Sequence, residues 1–251
     1  MSMGETMERK NTNAESARTK TAKKRGADQL CENMPYTARE AFKRLRTNVQ
    51  MALSEEKKCQ VIGVTSAQPA EGKSTVSINL AYSLAELGKS VLLIDGDMRR
   101  PSLHEKLDIR PMPGLSDLLT EEDDVGSVVL RYKSATEKVS FNVITGGGIP
   151  GNPSELLNSK RFGALIRGLS SSCDYIIMDL PPINAVIDAV NASRLTDGMI
   201  VVLRESNCPR SVLADCMEQL SYADANVLGF VVNGSVEGAG KRYQYAYRYG
   251  K

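Results

Sequence analysis

The chain has 251 residues, of which 41% are hydrophobic and 25% are charged, a size and composition that fit one α/β domain or at most two small ones. Its 32 Lys and Arg residues nearly balance 30 Asp and Glu residues, and the net charge of +2 gives no reason to expect a nucleic acid as a partner. The five cysteines are scattered and form no C-x-x-C pair, which argues against a disulfide framework or a zinc site and favours a reducing cytosol.

Residues 1–35 are polar and contain scarcely any large apolar side chain, so we predict a flexible N-terminal arm. The arm has no apolar segment of the kind that a secretory signal needs, and its opening Met-Ser lacks the simple myristoylation pattern. No run in the chain approaches the roughly 18 apolar residues of a membrane helix. We therefore expect a cytoplasmic protein that reaches a membrane only through a partner.

One domain is expected over residues 36–233, and it begins with a helix predicted at residues 38–53. Thr37 and Glu40 have the spacing of a capping box, which marks the start of a helix. Apolar residues then recur at helical spacing, at Phe42, Leu45, Val49 and Leu53.

After this helix, short apolar runs alternate with longer amphipathic runs, a pattern typical of a parallel sheet with crossover helices. Strands are predicted at residues 61–65, 91–95, 141–145, 175–179, 199–203 and 227–232. Helices are predicted between them at residues 74–87, 158–169, 185–195 and 210–222. The predicted fold class is α/β, a doubly wound and mostly parallel sheet with helices on both faces, whose ligand site lies at the carboxyl ends of the strands.

A phosphate-binding loop follows the first predicted strand. Residues 67–75 read A-Q-P-A-E-G-K-S-T, which is the P-loop pattern with Ala in place of the first Gly. Backbone N–H groups and the positive end of the next helix can converge on a phosphate there. Lys73 would reach the β- and γ-phosphates of ATP, and the Ser74 hydroxyl would bind Mg²⁺. The residues expected to bind the nucleotide are Ala70, Glu71, Gly72, Lys73, Ser74 and Thr75.

Some alternatives stay open at this loop. A plain glycine turn before a helix would give the same letters. Ala70 stands where glycine would be free to adopt a positive φ, and if that angle is needed, alanine costs about 1 kcal/mol or more. Asn233 closes the last predicted strand, where its amide could bind adenine or could equally belong to a turn.

Three carboxylates lie at the ends of two other predicted strands. Asp95 ends the strand at 91–95, Asp97 follows it, and Asp179 ends the strand at 175–179. A Mg²⁺ ion that bridges phosphates needs oxygen ligands, and an attacking hydroxyl needs an acceptor for its proton. The three carboxylates can meet both needs, although a single aspartate at a strand end is more often a helix cap or a turn former.

Four stretches together resemble a known family: the loop at 67–75, I-D-G-D-M-R-R-P at 94–101, I-I-M-D-L-P-P at 176–182, and the terminal tyrosines. From about Tyr36 to Lys251 the chain is similar to the bacterial tyrosine kinases, or BY-kinases, of capsule and exopolysaccharide synthesis. These are P-loop NTPases related to the MinD and ParA-like partition ATPases. The partition ATPases usually carry an extra lysine early in the loop, where this chain has none.

The resemblance implies an ATP-dependent protein-tyrosine kinase that uses Mg²⁺. It assigns Lys73 and Ser74 to the triphosphate and the metal, and Asp179 to support of the metal. It makes Asp95 the acceptor of the tyrosine proton and gives Asp97 an assisting role at the metal.

The resemblance also implies self-association, in a ring, through an E-x-x-R-x-x-R motif on the first helix. Glu40, Lys43 and Arg46 stand at that spacing here, and Lys43 keeps the charge but lacks the guanidinium fork of the family's arginine. Further partners are a separate membrane adaptor with a cytoplasmic activating segment, protein substrates of polysaccharide synthesis, and a phosphotyrosine phosphatase. The adaptor would recruit the protein to the inner face of the membrane.

The expected flexible tail, residues 234–251, contains four alternating tyrosines: Tyr243, Tyr245, Tyr247 and Tyr249. We predict that these are autophosphorylation sites, because a P-loop, paired aspartates and a tyrosine cluster occur in one chain, and the Gly-Ala-Gly lead upstream favours a flexible tail. Each phosphotyrosine adds about −1.5 to −2 charges, so phosphorylation is expected to repel the tail from the three carboxylates and loosen self-association. An edge strand with one aromatic face and a stacking surface for single-stranded nucleic acid are the alternatives.

The leading hypothesis is a kinase that phosphorylates its own tail in trans and regulates capsule or exopolysaccharide biosynthesis. The alternative is a MinD/ParA-like ATPase that acts as a nucleotide-gated positioning module, which the missing lysine and the missing C-terminal amphipathic helix oppose. A third hypothesis, prompted by Ala70, is an inactive regulatory subunit that binds nucleotide without turnover.

Overall fold

In the described part of the chain seven strands form one sheet, and the apolar runs of the sequence predict six of them. The computed structural model describes residues 30–53, 56–120, 124–205 and 208–234. The strands are β1 Gln60–Ser66, β2 Val91–Asp95, β3 Leu130–Lys133, β4 Ser140–Ile144, β5 Tyr175–Asp179, β6 Gly198–Arg204 and β7 Val227–Asn233. Their order in the sheet is β3-β4-β2-β5-β1-β6-β7, and every pair is parallel except β3 with β4. The predicted class, a mostly parallel doubly wound sheet, is confirmed.

Helices cover both faces of this sheet. They are α1 Tyr36–Ala52, α2 Lys73–Ala85, α3 Leu103–Leu107, α4 Leu115–Thr120, α5 Val125–Val128, α6 Pro153–Leu157, α7 Lys160–Leu169, α8 Asp188–Ser193 and α9 Arg210–Tyr222. Alternate residues of β1 join two separate cores, because successive strand side chains point to opposite faces: Val61 shares a core with Phe162 of α7, and Ile62 shares one with Leu80 of α2. None of the helices in the described ranges is both long and apolar enough to span a bilayer.

The helix α2 is buried on nearly all sides. Every residue from Val76 to Ala85 is buried, and Leu80 and Leu84 have no exposed surface. A helix that is buried around its whole circumference has no solvent face and lies inside a domain. The loop that precedes α2 is therefore anchored to the core.

The start of α1 differs from the prediction. Pro35 is the N-cap, and its carbonyl oxygen accepts from the N–H groups of Ala38 and Arg39 at 3.0 and 3.1 Å. Thr37 lies inside the helix and Glu40 accepts from Lys43, so the predicted capping box does not form. The proline ring already fixes a φ of −54°, which suits entry into a helix.

Other boundaries differ for local reasons. The predicted helix at 158–169 begins two residues later, as α7 at Lys160, because Ser159 is its N-cap and the Ser159 hydroxyl accepts from the N–H of Phe162 at 3.1 Å. The predicted helix at 185–195 is shorter, at Asp188–Ser193. The strand β3, with only four residues, and the short helices α3, α4, α5 and α6 were not predicted.

The predicted arm, apart from residues 30–35, and the predicted tail, apart from residue 234, lie outside the described residues. The four tail tyrosines, Tyr243, Tyr245, Tyr247 and Tyr249, are among them. The flexibility of both segments stays a prediction.

Candidate active site

A tight loop joins β1 to α2, and two of its residues have positive φ angles. These are Ala70, with φ 64°, and Gly72, with φ 97°. Gly72 is the N-cap of α2, and its carbonyl oxygen accepts from the N–H of Val76 at 3.0 Å. The first turn of α2 therefore presents its N–H groups at the carboxyl end of β1, where an anion is favoured. The angle at Ala70 confirms that an alanine occupies a position suited to glycine, at a cost of about 1 kcal/mol.

Glu71 closes this loop from the inside. Its side chain is buried, and Oε2 accepts from the N–H of Gln68 at 2.8 Å. Its Oε1 lies 3.5 Å from the backbone nitrogen of Arg204 at the end of β6. Because the carboxylate is committed to the backbone of the protein, any contact between Glu71 and a nucleotide would involve its main chain.

Lys73 lies among the predicted carboxylates. Its Nζ is 3.0 Å from Asp97 Oδ2 and 3.6 Å from Asp179 Oδ2. Burial acts to lower the pKa of Lys73, but Asp179, Asp97 and Asp95 outweigh it and raise that pKa above its ordinary value. The ammonium group is therefore charged at neutral pH. Residues from three separate segments of the sequence meet here, as the motif spacing predicts.

Sheet register explains why these groups meet. Asp95 and Asp179 are direct partners in the parallel pair β2–β5, and β5 also pairs with β1, which leads into the loop. The carboxyl ends of parallel strands lie at one edge of a sheet, so their terminal side chains converge with the loop. Both carboxyl groups are fully buried.

Asp95 is held by three backbone donors. Its Oδ2 accepts from the N–H groups of Ser102 and Leu103 at 2.9 and 3.0 Å, and its Oδ1 accepts from the N–H of Asp97 at 3.3 Å. Burial, and then the neighbouring Asp179, raise the pKa of Asp95 to about 7, since both disfavour the charged form. Burial also raises the pKa of Asp179.

The oxygen atoms around Lys73 fit a Mg²⁺ ion. Asp179 Oδ2 is buried without a hydrogen-bond partner among the described atoms, and its Oδ1 accepts from the Ser77 hydroxyl at 3.2 Å. The Ser74 hydroxyl accepts from the Ser102 hydroxyl at 3.0 Å. Hydroxyl and carboxylate oxygens are ligands that Mg²⁺ prefers. Within the described ranges no three His, Cys, Asp or Glu side chains are arranged to hold a metal by themselves, so the ion would also need Ser74 and phosphate oxygens.

A cavity of about 920 Å³ opens over this group. Its walls include Lys73, Ser74, Asp97, Arg204 and Asn233, and the predicted residues Ala70, Gly72 and Thr75 also line it. The volume lies in the range of about 300–1,000 Å³ that is typical of ligand pockets. Asn233 ends the strand β7 and does not lie in a turn, so the turn alternative is wrong. A role for Asn233 at adenine stays a prediction.

The residues predicted for self-association lie on α1 and do not line this cavity. Glu40 and Lys43 form an ion pair of 2.9 Å with each other, and both side chains are about two-fifths exposed. Arg46 is mostly buried, and its guanidinium group donates to the carbonyl oxygen of Ser83 near the end of α2 at 2.6 Å. Glu40 and Lys43 therefore remain accessible, whereas Arg46 is engaged within the chain.

Two features of the site were not anticipated. Arg99 forms a two-pronged ion pair with the buried Asp188, supported by Ser154. Lys106 of α3 lines the cavity, and burial lowers the pKa of its ammonium group. Sequence spacing gives no signal for either, because an aspartate at the start of a helix and a lysine on a short helix are ordinary residues at those places.

The strand, the glycine-containing loop, the helix N-terminus and the lysine among carboxylates define a P-loop nucleotide-binding protein. The family model described as an AAA domain matches residues 59–221. The solved structure of the cell division ATPase MinD from Pyrococcus furiosus is similar, with a TM-score of 0.58 and 25% identity over 71% of this chain and 74% of that one.

Other relatives narrow this class to one family. The tyrosine-protein kinase YwqD of Bacillus subtilis is 35% identical over 206 residues, which cover 82% of this chain and 85% of YwqD. The solved kinase domain of the Escherichia coli tyrosine kinase ETK is 32% identical with a TM-score of 0.74, over 79% of this chain and 76% of that one. The tyrosine-protein kinase ptk of Acinetobacter johnsonii is longer, and the 202 matched residues, 34% identical, cover 80% of this chain but 27% of ptk. The chain belongs to the bacterial tyrosine-protein kinase family.

Proposed function

We propose that the protein is an ATP-dependent tyrosine kinase that phosphorylates the tyrosine cluster of its own tail in trans and regulates capsule or exopolysaccharide synthesis. The observation that carries the proposal is the Lys73 ammonium group, held between Asp97 and Asp179 beside the first turn of α2. Membership of the kinase family supports phosphoryl transfer to tyrosine as the reaction.

Binding of ATP follows from the groups that line the cavity. Lys73 and the N–H groups at the start of α2 bind the β- and γ-phosphates, because both present positive charge at the same edge of the sheet. Ser74, Asp97 and Asp179 hold the metal. Mg²⁺, when bound, neutralises phosphate charge and orients the triphosphate for transfer.

Asp95 is the proposed acceptor of the phenolic proton. Its pKa of about 7 matches the condition for an efficient base, since the group exchanges its proton near the operating pH. Asp97 is the alternative proton acceptor, because it lines the cavity, whereas the carboxylate of Asp95 is covered by the backbone of Ser102 and Leu103. Asp95→Asn and Asp97→Asn separate the two roles: loss of the base lowers the transfer rate with nucleotide affinity retained, whereas loss of the metal ligand weakens the metal-dependent part of nucleotide binding.

A mixing experiment tests transfer in trans. A full-length enzyme with the four tail tyrosines changed to phenylalanine is incubated with Mg-ATP and a Lys73→Met chain whose tail is intact. We expect phosphate on the tail of the Lys73→Met chain, mapped by mass spectrometry. Unmodified tail tyrosines, with the same result for wild type and for Lys73→Met alone, would contradict the proposal.

Self-association through α1 belongs to the same proposal. The partly exposed side chains of Glu40 and Lys43 support it, and Lys43 can offer a single ion pair where an arginine would offer two parallel bonds. Light scattering of the chain before and after treatment with Mg-ATP checks the expected loss of mass on phosphorylation. An unchanged mass would remove the link between phosphorylation and assembly.

The proposed partners come from the family resemblance: a membrane adaptor with an activating cytoplasmic segment, protein substrates of polysaccharide synthesis, and a phosphotyrosine phosphatase. Recruitment to the inner face of the membrane would follow from the adaptor. Phosphosite maps made with and without the adaptor segment test this activation.

The similarity to MinD favours one second candidate, a positioning ATPase without a protein substrate. The two functions predict different products from the same incubation with Mg-ATP. Release of inorganic phosphate with no phosphotyrosine on any chain would support the ATPase and overturn the kinase.

A further inference from the structure

Three segments that follow different strands meet at one point, where side chains from two of them bind Arg99 from the third. The Arg99 Nε donates to Asp188 Oδ2 at 2.8 Å, and its Nη2 donates to Asp188 Oδ1 at 3.1 Å and to the Ser154 hydroxyl at 2.9 Å. The Ser154 hydroxyl in turn donates to Asp188 Oδ1 at 2.5 Å. Arg99 follows β2, Ser154 lies in the first turn of α6, and Asp188 begins α8.

The backbone around these side chains is also tied together. The side-chain amide of Asn191, one turn along α8, donates to the carbonyl oxygen of Ser154 at 3.1 Å. This bond links α6 to α8 next to the ion pair. The partners of Arg99 are therefore fixed relative to each other as well as to the guanidinium group.

Burial shows which member of the network is anchored and which is available. Asp188 has no exposed surface, whereas the Arg99 side chain is 41% exposed and lines the cavity above the phosphate loop. A fully buried carboxylate needs a bonded cation, because an unpaired buried charge is strongly destabilising. Asp188 therefore holds one edge of the guanidinium fork, the Nε–Nη2 edge, and leaves the Nη1 group for another ligand.

We propose that Asp188 and Ser154 are positioning residues, which fix Arg99 so that its remaining N–H groups bind a phosphate group during transfer to tyrosine. The ligand class follows from the chemistry of the fork, which matches phosphate oxygens, and from the shared cavity with Lys73 and Ser74. This inference rests on the proposed kinase function.

An ion pair that only stabilises the fold, referred to below as a pin, would also use an arginine and an aspartate. The two roles differ in what they change. A pin acts on the free energy of unfolding, whereas a positioning network acts on the transfer rate at saturating nucleotide and leaves the affinity for Mg-ADP nearly unchanged. Misplacement of a charge-stabilising group by about 1 Å can lower a rate by about 100-fold.

The test uses full-length chains with Asp188→Asn, Ser154→Ala, Arg99→Lys, Arg99→Ala, and the double change Asp188→Asn with Arg99→Ala. For each chain we measure phosphate transfer to a Lys73→Met substrate chain, the Kd of Mg-ADP, and the Tm. The matched control is Ser140→Ala, because Arg131 donates to the Ser140 hydroxyl at 2.8 Å on the antiparallel pair β3–β4, outside the cavity lining.

We expect kcat to fall about 10- to 100-fold in Asp188→Asn and Arg99→Lys, with the Kd of Mg-ADP within about threefold of wild type. Ser154→Ala should fall less, and Ser140→Ala should match wild type. Because Asp188 acts through Arg99, the double variant should be no slower than Arg99→Ala alone.

The inference would be overturned if the fold-losses in kcat of Asp188→Asn and Arg99→Ala multiplied in the double variant. Unchanged kcat in both Arg99→Lys and Ser154→Ala would also overturn it. If Asp188→Asn fails to fold, Arg99→Lys and Ser154→Ala decide the matter, since both retain the buried carboxylate and a bonding partner for it. A wild type that transfers no phosphate removes the proposed function and this inference together. An active wild type with equally active variants removes the inference alone.

Discussion

The side-chain amide of Asn233, the last residue of β7, donates to the carbonyl oxygen of Glu71 in the phosphate loop at 3.0 Å. This bond fixes the loop to a strand that lies two places from β1 in the sheet. The same amide fills the space beside Gly72, where a Cβ would come within 1.9 Å of its nitrogen. Asn233 therefore holds the loop in place and leaves no room for a side chain at residue 72.

A pair of substitutions separates these two effects. Asn233→Ala should cost about 1 kcal/mol of stability, the usual value of one hydrogen bond, and weaken nucleotide binding. Gly72→Ala should abolish binding, and adding Asn233→Ala should not restore it, because the φ of 97° remains unfavourable for alanine after the clash is gone. Calorimetric titration with Mg-ADP and urea unfolding check both. Recovery of binding in the double variant would show that space, and not the backbone angle, requires glycine.

Ala70→Gly should stabilise the protein by up to about 1 kcal/mol, because glycine adopts the φ of 64° without a Cβ penalty. This gain should exceed the cost of the greater backbone freedom that glycine gives the unfolded chain. The matched control is Ala214→Gly, at an exposed position inside α9, which should lose about 1 kcal/mol. Urea unfolding measures both changes. If Ala70→Gly destabilises the chain as much as the control does, the angle at residue 70 carries no strain.

Asp95 should make stability depend on pH. In the folded chain it keeps its proton up to about pH 7, against an ordinary value of 3.8, so the folded state binds more protons than the unfolded state between those values. The contribution of Asp95 to the free energy of unfolding is therefore fully present below the ordinary pKa of 3.8. It is lost progressively as the pH rises from there through the folded pKa of about 7. Wild type should lose stability relative to Asp95→Asn between pH 5 and pH 8.

Urea unfolding of both chains at several pH values provides the measurement. Asn places an NH₂ group against backbone donors, so a constant offset between the two chains is expected and only its change with pH is informative. A difference that stays constant from pH 5 to pH 8 would show that Asp95 releases its proton well below pH 7.

Ser74→Ala should weaken the binding of Mg-ADP by about tenfold and leave the binding of ADP in excess EDTA unchanged, because we propose the hydroxyl group as a ligand of the metal rather than of the phosphates. Ser83→Ala is the matched control, since Ser83 lies on the same helix, its hydroxyl donates to the carbonyl oxygen of Leu80 at 3.0 Å, and it does not line the cavity. An equal loss of ADP affinity with and without Mg²⁺ would show that the Ser74 hydroxyl binds the phosphate instead of the metal.

The positions of the main strands and of the phosphate loop in the sequence could be predicted because their signals are local. β1, β2, β5 and β6 are continuous buried apolar runs, and the Gly72-Lys73-Ser74 turn has few other uses in that context. The strand β3 could not be predicted, since its four residues alternate in exposure and it exists through pairing with β4. Pairing between distant segments is a tertiary effect that a short run does not encode.

The site was predictable only in part for a similar reason. Asp95, Asp97 and Asp179 stand at strand ends, where topology alone brings them to Lys73. Asp188 and Ser154 reach Arg99 through the packing of α6 against α8, which depends on helices of five and six residues. Short helices have weak periodicity, so neither their presence nor their contacts could be read from spacing.

The burial of α2 has a consequence for mutational tolerance. Thirteen residues at about 1.5 Å each make a rod of roughly 20 Å whose first turn carries Lys73 and Ser74, and whose last turns lie under Arg46. Close-packed interiors transmit small changes in volume, so an extra methyl group at the fully buried Ala81 should strain the packing of α2, and we expect the strain to reach Lys73. Side chains that never meet solvent therefore help to hold Lys73 in place, and substitutions inside α2 should be tolerated less well than substitutions on the exposed face of α9.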